Sequence, residues 1–178
     1  MIESGQAFWL ALIQGLTEFL PISSSAHLVL LPILAQWPDQ GLAFDVAVHV
    51  GTLLAVVGYL RTDLMGIAGG WLRQWGRTGR STNSHLGWLL IIATLPGVFA
   101  GALLGGVVEQ FMRDPLVIAG TTIIFALLLW WADHRTSRQR AMPDLSFKNA
   151  LLVGCFQALA LIPGTSRSGI TMTAGLML

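Results

Sequence analysis

The sequence predicts an all-α integral membrane protein, a polytopic helix bundle with two re-entrant helical hairpins in an inverted repeat whose second copy is incomplete. Two observations carry this. Hydrophobic residues make up 54% of the chain and charged residues 11%, with a mean hydropathy of +0.68, whereas a soluble domain carries roughly 25% charged residues. In addition, two apolar stretches are interrupted alike, by Gln, then Pro, then small hydroxyl residues, then a polar or charged group: Gln14 to His27 and Gln157 to Thr171.

The elements follow in order. Met1 to Gln6 has no basic run and contains Glu3, so no cleaved signal peptide is expected and the first apolar segment stays in the mature chain. A membrane span needs about 20 apolar residues. Ala43 to Leu60, Leu86 to Val108 and Pro115 to Trp131 meet that requirement; Ala7 to Leu20, Leu28 to Leu34 and Asn149 to Ile162 fall short. A short apolar helix broken by Pro and small polar residues predicts a re-entrant hairpin, which is tolerated at depth only where protein or water covers its backbone. Residues 1–178 read as one transmembrane domain. The first repeat is 1–131, with a re-entrant hairpin at 7–34. The second repeat begins at 149–178, with its elbow at 163–171.

Basic residues sort by loop. Arg61, Arg73, Arg77 and Arg80 lie between the first two spans, and Arg135, Arg138, Arg140 and Lys148 after the third; Arg113 alone has the other parity. The positive-inside rule then places 61–85 and 133–148 in the cytoplasm, and 36–42, 109–114 and the N-terminus outside. One hairpin enters from each side. Such repeats with interrupted helices put a binding site near the midplane, where the broken segments meet. No nucleic-acid patch is visible in a chain of formal net charge +1.

Ionisable residues inside apolar sequence are expensive and mark function. In the second elbow, Gly164, Thr165, Ser166 and Ser168 surround Arg167, and Thr171 follows. Backbone N–H groups at a helix start and a guanidinium both bind phosphate oxygens, so this elbow is a candidate phosphate cradle. The competing interpretation is a Ser-rich helix cap with a snorkelling Arg. In the first elbow, Gln14 and Glu18 share a helix face, and Ser23, Ser24 and His27 follow. An acid, a hydroxyl and an imidazole suit nucleophilic or acid–base work on a phosphoryl group. A buried hydrogen-bonded carboxylate and an interfacial His would read the same way.

Other residues carry less. Asp45 and His49 lie four apart and are either partners of the site or residues buried near the outer interface. His85 and His134 fall in the cytoplasmic loops and are expected to be solvated. Cys155, the single cysteine, excludes an intrachain disulfide and reads as a small core residue. The Trp residues cluster near segment ends, as interfacial anchors do. Gly97, Gly101, Gly105 and Gly106 mark close helix packing, either internal or between the subunits of a homodimer.

The segment from Gln14 through Glu18, Phe19-Leu20-Pro21-Ile22-Ser23-Ser24-Ser25-Ala26-His27, together with Pro163-Gly164-Thr165-Ser166-Arg167-Ser168-Gly169-Ile170-Thr171, resembles the two signature segments of the undecaprenyl-diphosphate phosphatases, the bacitracin-resistance family. Phe44 to Thr52 is similar to the segment that follows the first signature. The resemblance implies hydrolysis of a polyprenyl diphosphate to the monophosphate, which recycles the lipid carrier for peptidoglycan synthesis and confers bacitracin resistance. It also implies a bacterial inner-membrane location with the site toward the periplasm. By the same resemblance Glu18, Ser24, His27 and Arg167 are catalytic, with Gln14, Ser23, Gly164, Thr165, Ser166, Ser168 and Thr171 at the substrate. Glu18 would bind a divalent cation, Mg²⁺ by preference. Gln14 stands where many members carry a second Glu, so Glu18 alone bears any acid, base or metal role. Attack by Ser24 with His27 as base, and attack by His27 itself, both stay open. Members of the family run on past the point corresponding to Leu178, so the second repeat is expected to lack its helical partners here.

Two other functions compete. A polyprenyl-phosphate carrier or flippase would share the inverted repeat but needs no nucleophile beside the phosphate site. The phosphatidic-acid phosphatase signature, Ser-Arg with His six residues after the Arg, fails because Thr173 occupies that position.

Overall fold

A computed structural model describes residues 2–76, 81–111, 114–136 and 145–178. Among these there are eight α-helices and no strand: α1 Ser4–Thr17, α2 Ser24–Ala35, α3 Leu42–Tyr59, α4 Arg61–Arg73, α5 Thr82–Phe111, α6 Pro115–Arg135, α7 Phe147–Ala158 and α8 Arg167–Met177. The stretches Leu42–Tyr59, Thr82–Gly106 and Pro115–Arg135 are long and apolar enough to cross a membrane; the third contains its expected span, and the first two overlap theirs to within one or two residues at the C-terminal end. Arg77, Arg80, Arg113, Arg138 and Arg140 lie outside the described residues, as does most of the basic segment after α6.

The segment expected as a cytoplasmic loop contains a helix. α4 lies along α5 because small residues remove the side chains that would hold the two apart. A methyl at Gly70 would meet Asn83 Cβ at 2.7 Å, and one at Gly87 would meet Trp71 at 3.1 Å. Leu64, Ile67 and Trp71 are its less exposed large apolar positions, the spacing of one helix face. His85 belongs to α5; its Nε2 lies 3.0 Å from the Leu145 carbonyl and its ring lies against Phe147, so it is not simply solvated. Cys155 is exposed on α7 rather than in the core.

The most extensive helix contact is α5 against α7. Gly154 permits it, since a methyl there would lie 2.5 Å from the Ala93 carbonyl oxygen. Gly97 and Gly101 face Gln157 and Leu161, so this part of the glycine stripe packs within the chain. Gly105 and Gly106 meet nothing within 4 Å.

Neither short helix pair is long enough to span a bilayer. α1 and α2, of 14 and 12 residues, contact each other across a sharp turn. α7 and α8, of 12 and 11 residues, do so across a single 3₁₀ turn, Leu159–Leu161, and Pro163-Gly164. The pairs are in register: α7 starts as far after α1 as α8 starts after α2, and the same offset relates Gln14 to Gln157, Ser23 to Ser166 and Ser25 to Ser168. α8 begins at Arg167, two residues earlier than the apolar run beginning at Gly169 suggests.

Candidate active site

The two elbows are capped alike. Ser23 is the N-cap of α2 and its Oγ accepts from Ala26 N–H at 3.3 Å while lying 3.0 Å from Ser25 Oγ. Ser166 is the N-cap of α8, accepts from Gly169 N–H at 3.2 Å and lies 2.9 Å from Ser168 Oγ. Each cap satisfies an orphan N–H and exposes the positive end of a helix dipole, which favours an anion.

The elbows also touch. Ser168 Oγ donates to the Leu20 carbonyl at 2.7 Å, and Ser166 Oγ lies 3.5 Å from the same oxygen. The second elbow is seated on α6, where Thr121 Oγ1 donates to the Pro163 carbonyl at 2.6 Å and Thr122 Oγ1 to the Gly164 carbonyl at 3.1 Å. Gly164, at φ +91°, has no room for a side chain: a methyl would meet Thr121 Oγ1 at 2.2 Å and the Ile118 carbonyl oxygen at 2.5 Å. Sequence reasoning passed over Thr121 and Thr122; the available signal was an adjacent hydroxyl pair inside an apolar span.

Glu18 caps the C-terminus of α1, and its carboxylate is shared by three helices. Its Oε2 accepts from Ser24 Oγ at 2.5 Å and from Gln14 Nε2 at 3.3 Å, and His49 Nε2 of α3 lies 3.5 Å away. Ser24 therefore pairs with Glu18 rather than with His27. His27 is exposed, with Nδ1 2.6 Å from the Ser23 carbonyl; a carbonyl only accepts, so Nδ1 carries the proton and Nε2 is the free basic nitrogen. His27 lines neither of the cavities described next.

A small polar cleft of about 90 Å³ lies between the elbows, walled by Glu18, Ser23, Ser24, His49, Thr165 and Arg167 among others. Beside it lies an open cavity of about 850 Å³ that shares Glu18, Ser25, His49 and Arg167 and is otherwise mainly apolar, with Leu28, Val46, Val50 and Leu53 in its wall. Two donors at the cleft are uncommitted. Arg167 pairs with no carboxylate among the described residues, and Thr165 Oγ1 is buried without a hydrogen-bond partner. The other expected phosphate ligands are occupied: Ser168 donates to Leu20, while Thr171 donates to the carbonyls of Arg167 and Ser168 at 2.8 and 3.1 Å. Gln14 is buried behind Glu18, and Gly164 is buried beneath the cleft wall.

No group of three or more His, Cys, Asp or Glu residues suited to a metal occurs among the described residues. Glu18 Oε1 accepts no hydrogen bond from them. One carboxylate oxygen fits a cation such as Mg²⁺, which keeps several waters and takes its other ligands from substrate phosphates.

A family model described as bacitracin resistance protein BacA matches residues 7–178. An undecaprenyl-diphosphatase 2 of Stutzerimonas stutzeri is 57% identical over 176 residues, which is 97% of this chain and 65% of that protein. An undecaprenyl-diphosphatase of Chromohalobacter salexigens is 58% identical over 169 residues, covering 95% of this chain and 64% of that one, and an undecaprenyl-diphosphatase 1 of Pseudoalteromonas translucida is 56% identical with the same coverage. The chain thus spans just under two thirds of the length of these relatives. With both signature elbows inside the matched residues, the chain belongs to the bacitracin resistance protein BacA family.

Proposed function

We propose that the protein hydrolyses undecaprenyl diphosphate to undecaprenyl phosphate and inorganic phosphate, recycling the lipid carrier of peptidoglycan synthesis and conferring bacitracin resistance. The observation that carries this is the junction of a polar cleft holding two uncommitted donors with a larger apolar cavity, matching a diphosphate head on a hydrocarbon chain. The relatives' names, undecaprenyl-diphosphatase, agree with it. The matching caps and offsets support a repeated pair of short helices; in this reading they are two re-entrant hairpins dipping from opposite leaflets of the bacterial inner membrane as an inverted repeat, with the orientation taken from the basic loops and the site toward the periplasm as the family resemblance implies. A carrier would not need Ser24 bonded to Glu18.

In this reading Ser24 Oγ attacks the terminal phosphorus, Glu18 Oε2 takes the hydroxyl proton, and the bond to the bridging oxygen breaks with undecaprenyl phosphate leaving. Water then cleaves the Ser24 phosphoester, releasing inorganic phosphate and restoring the hydroxyl. Arg167, Thr165 Oγ1 and the N–H groups opening α2 and α8 stabilise the charge that develops on the phosphoryl oxygens. Glu18 Oε1 would hold Mg²⁺, whose contribution when bound is further charge neutralisation. The hydroxyls of Ser166 and Ser168, both at the Leu20 carbonyl, hold the second elbow against the first, while that of Ser23 caps α2.

The test is phosphate release from C55 diphosphate by the purified chain and by the longer Stutzerimonas relative. Arg167→Ala, made at the corresponding position in both, should lower turnover by about a hundredfold or more while membrane insertion is unchanged. Near-normal turnover in the Ala variants would overturn the assignment. Release by the relative alone would confine the activity to the longer protein.

A further inference from the structure

We propose that Gln157 is a further substrate-binding residue, its side-chain amide donating to the lipid-side phosphate of the diphosphate, the group that leaves when the anhydride is cleaved; this deepens the phosphatase reading above and rests on it. Gln157 is where the two elbows, otherwise alike, differ in chemistry. The offset that pairs Gln14 with Gln157 pairs Glu18 with Leu161. Gln14 is buried and directs its Nε2 to Glu18 Oε2 at 3.3 Å and Thr52 Oγ1 at 3.4 Å. Gln157, four residues before a leucine, has no such carboxylate. Its Nε2 lies beside Gly97 of α5, 3.5 Å from where a methyl on that glycine would stand, and its amide makes no hydrogen bond to the described residues.

The amide belongs to the wall of the larger cavity, together with Leu161, Pro163 and Arg167. Most polar side chains of that wall are already engaged. Thr52, Ser168 and Thr171 donate to backbone carbonyls, Ser25 is paired with Ser23, and His49 stands against Glu18. Among the described residues, the side-chain donors left in this wall for a ligand are the Arg167 guanidinium and the Gln157 amide. Arg167 walls both cavities and Gln157 the larger alone, which puts the amide on the lipid side of the guanidinium. An amide without a partner is costly once a hydrocarbon chain displaces water from it, unless the ligand brings an acceptor. The connectivity of a polyprenyl diphosphate supplies that acceptor. With the terminal phosphate in the small cleft and the chain in the apolar cavity, the lipid-side phosphate, bonded to both, lies where the two spaces join. A neutral amide can donate to it there without adding a second charge to the apolar wall.

The experiment is equilibrium binding of two labelled lipids in detergent micelles, undecaprenyl phosphate and undecaprenol, to the wild type and to Gln157→Met, which keeps the length of the side chain and removes the donor. Helical content and elution profile are checked for both proteins, and phosphate release from C55 diphosphate is read on the same preparations. Gln157→Met should weaken undecaprenyl phosphate about 10- to 100-fold, the worth of one hydrogen bond to a charged group, and change undecaprenol by less than about threefold. Its kcat/KM for the diphosphate should fall in step with the first effect. If Gln157→Met does not fold, Gln157→Leu takes its place with the same expectation. A variant that holds undecaprenyl phosphate as tightly as the wild type, or that loses both lipids alike, would overturn the contact while leaving the phosphatase reading intact. The expected difference between the lipids, with no phosphate released by either this chain or the longer relative, would uphold the contact and overturn the phosphatase reading.

Discussion

Replacing Gly164 with alanine adds one methyl group at the junction where the second elbow rests on α6, and its cost can be worked from the backbone angle and the two hydrogen bonds the methyl would stretch. The residue sits at φ +91°, a region that strains any L side chain by about 1–3 kcal/mol. The new Cβ would lie 2.2 Å from Thr121 Oγ1 and 2.5 Å from the Ile118 carbonyl oxygen. The hydroxyl can rotate away; the carbonyl, held in the helix, cannot. The elbow must therefore lift, stretching the bonds from Thr121 and Thr122 to the Pro163 and Gly164 carbonyls, each worth about 1 kcal/mol. Together these amount to about 3–5 kcal/mol, and the displacement carries Thr165 and Arg167 out of the cleft. Thermal unfolding in detergent and phosphate release from the same preparation read the two effects. The expected result is a clear loss of stability together with loss of turnover. Adding Thr121→Ala should rescue only part, because the Ile118 carbonyl remains. A Gly164→Ala protein with the wild-type unfolding midpoint and turnover would show that the elbow is not seated on α6 in the way its contacts indicate.

Other substitutions probe separate links. Gly154→Ala brings a methyl within 2.5 Å of the Ala93 carbonyl and should destabilise the α5–α7 pair by about 1–3 kcal/mol in the same unfolding assay; an unchanged midpoint would refute that close approach. Ser24→Ala should cut phosphate release at least about a hundredfold, and labelled substrate should leave phosphate on Ser24 of the wild type; a fully active Ala variant would move the attack elsewhere. Arg167→Lys should fail to restore Arg167→Ala, since a lysine cannot reproduce the forked, bidentate hold on phosphate. Chelator should lower the rate and added Mg²⁺ return it; indifference to both would remove the cation from Glu18.

How much of this was legible in the chain depends on what each residue's role requires. The spans of α3, α5 and α6 were readable because a bilayer imposes length and apolarity on contiguous residues, and the breaks were readable because Pro and Gly act locally on the backbone. The second elbow was readable for the same reason: Ser166 caps its own helix, so motif and geometry coincide over a few residues. α4 reads as a loop in the sequence because its mixed composition hides a narrow apolar face, and that face has meaning only against the glycines of the α4–α5 contact.

The partners of Glu18 show the opposite case. His27 lies close to Ser24 in sequence, and proximity along the chain made it the natural base. In the fold, one turn of helix directs His27 toward its own backbone, while His49 arrives from α3 to stand beside the carboxylate. Likewise Thr121 and Thr122 hold an elbow some 40 residues away in sequence, at separations of 42, and nothing in their own neighbourhood announces it. The sequence alone determined the membrane class, the short helix pairs and the hydroxyl-rich elbows, because local chemistry and bilayer thickness are enough to specify them. Which side chains share the carboxylate, which donors stay free for a ligand and where the elbows touch were decided by tertiary packing, because those contacts join residues whose separation along the chain carries no information about their distance in space.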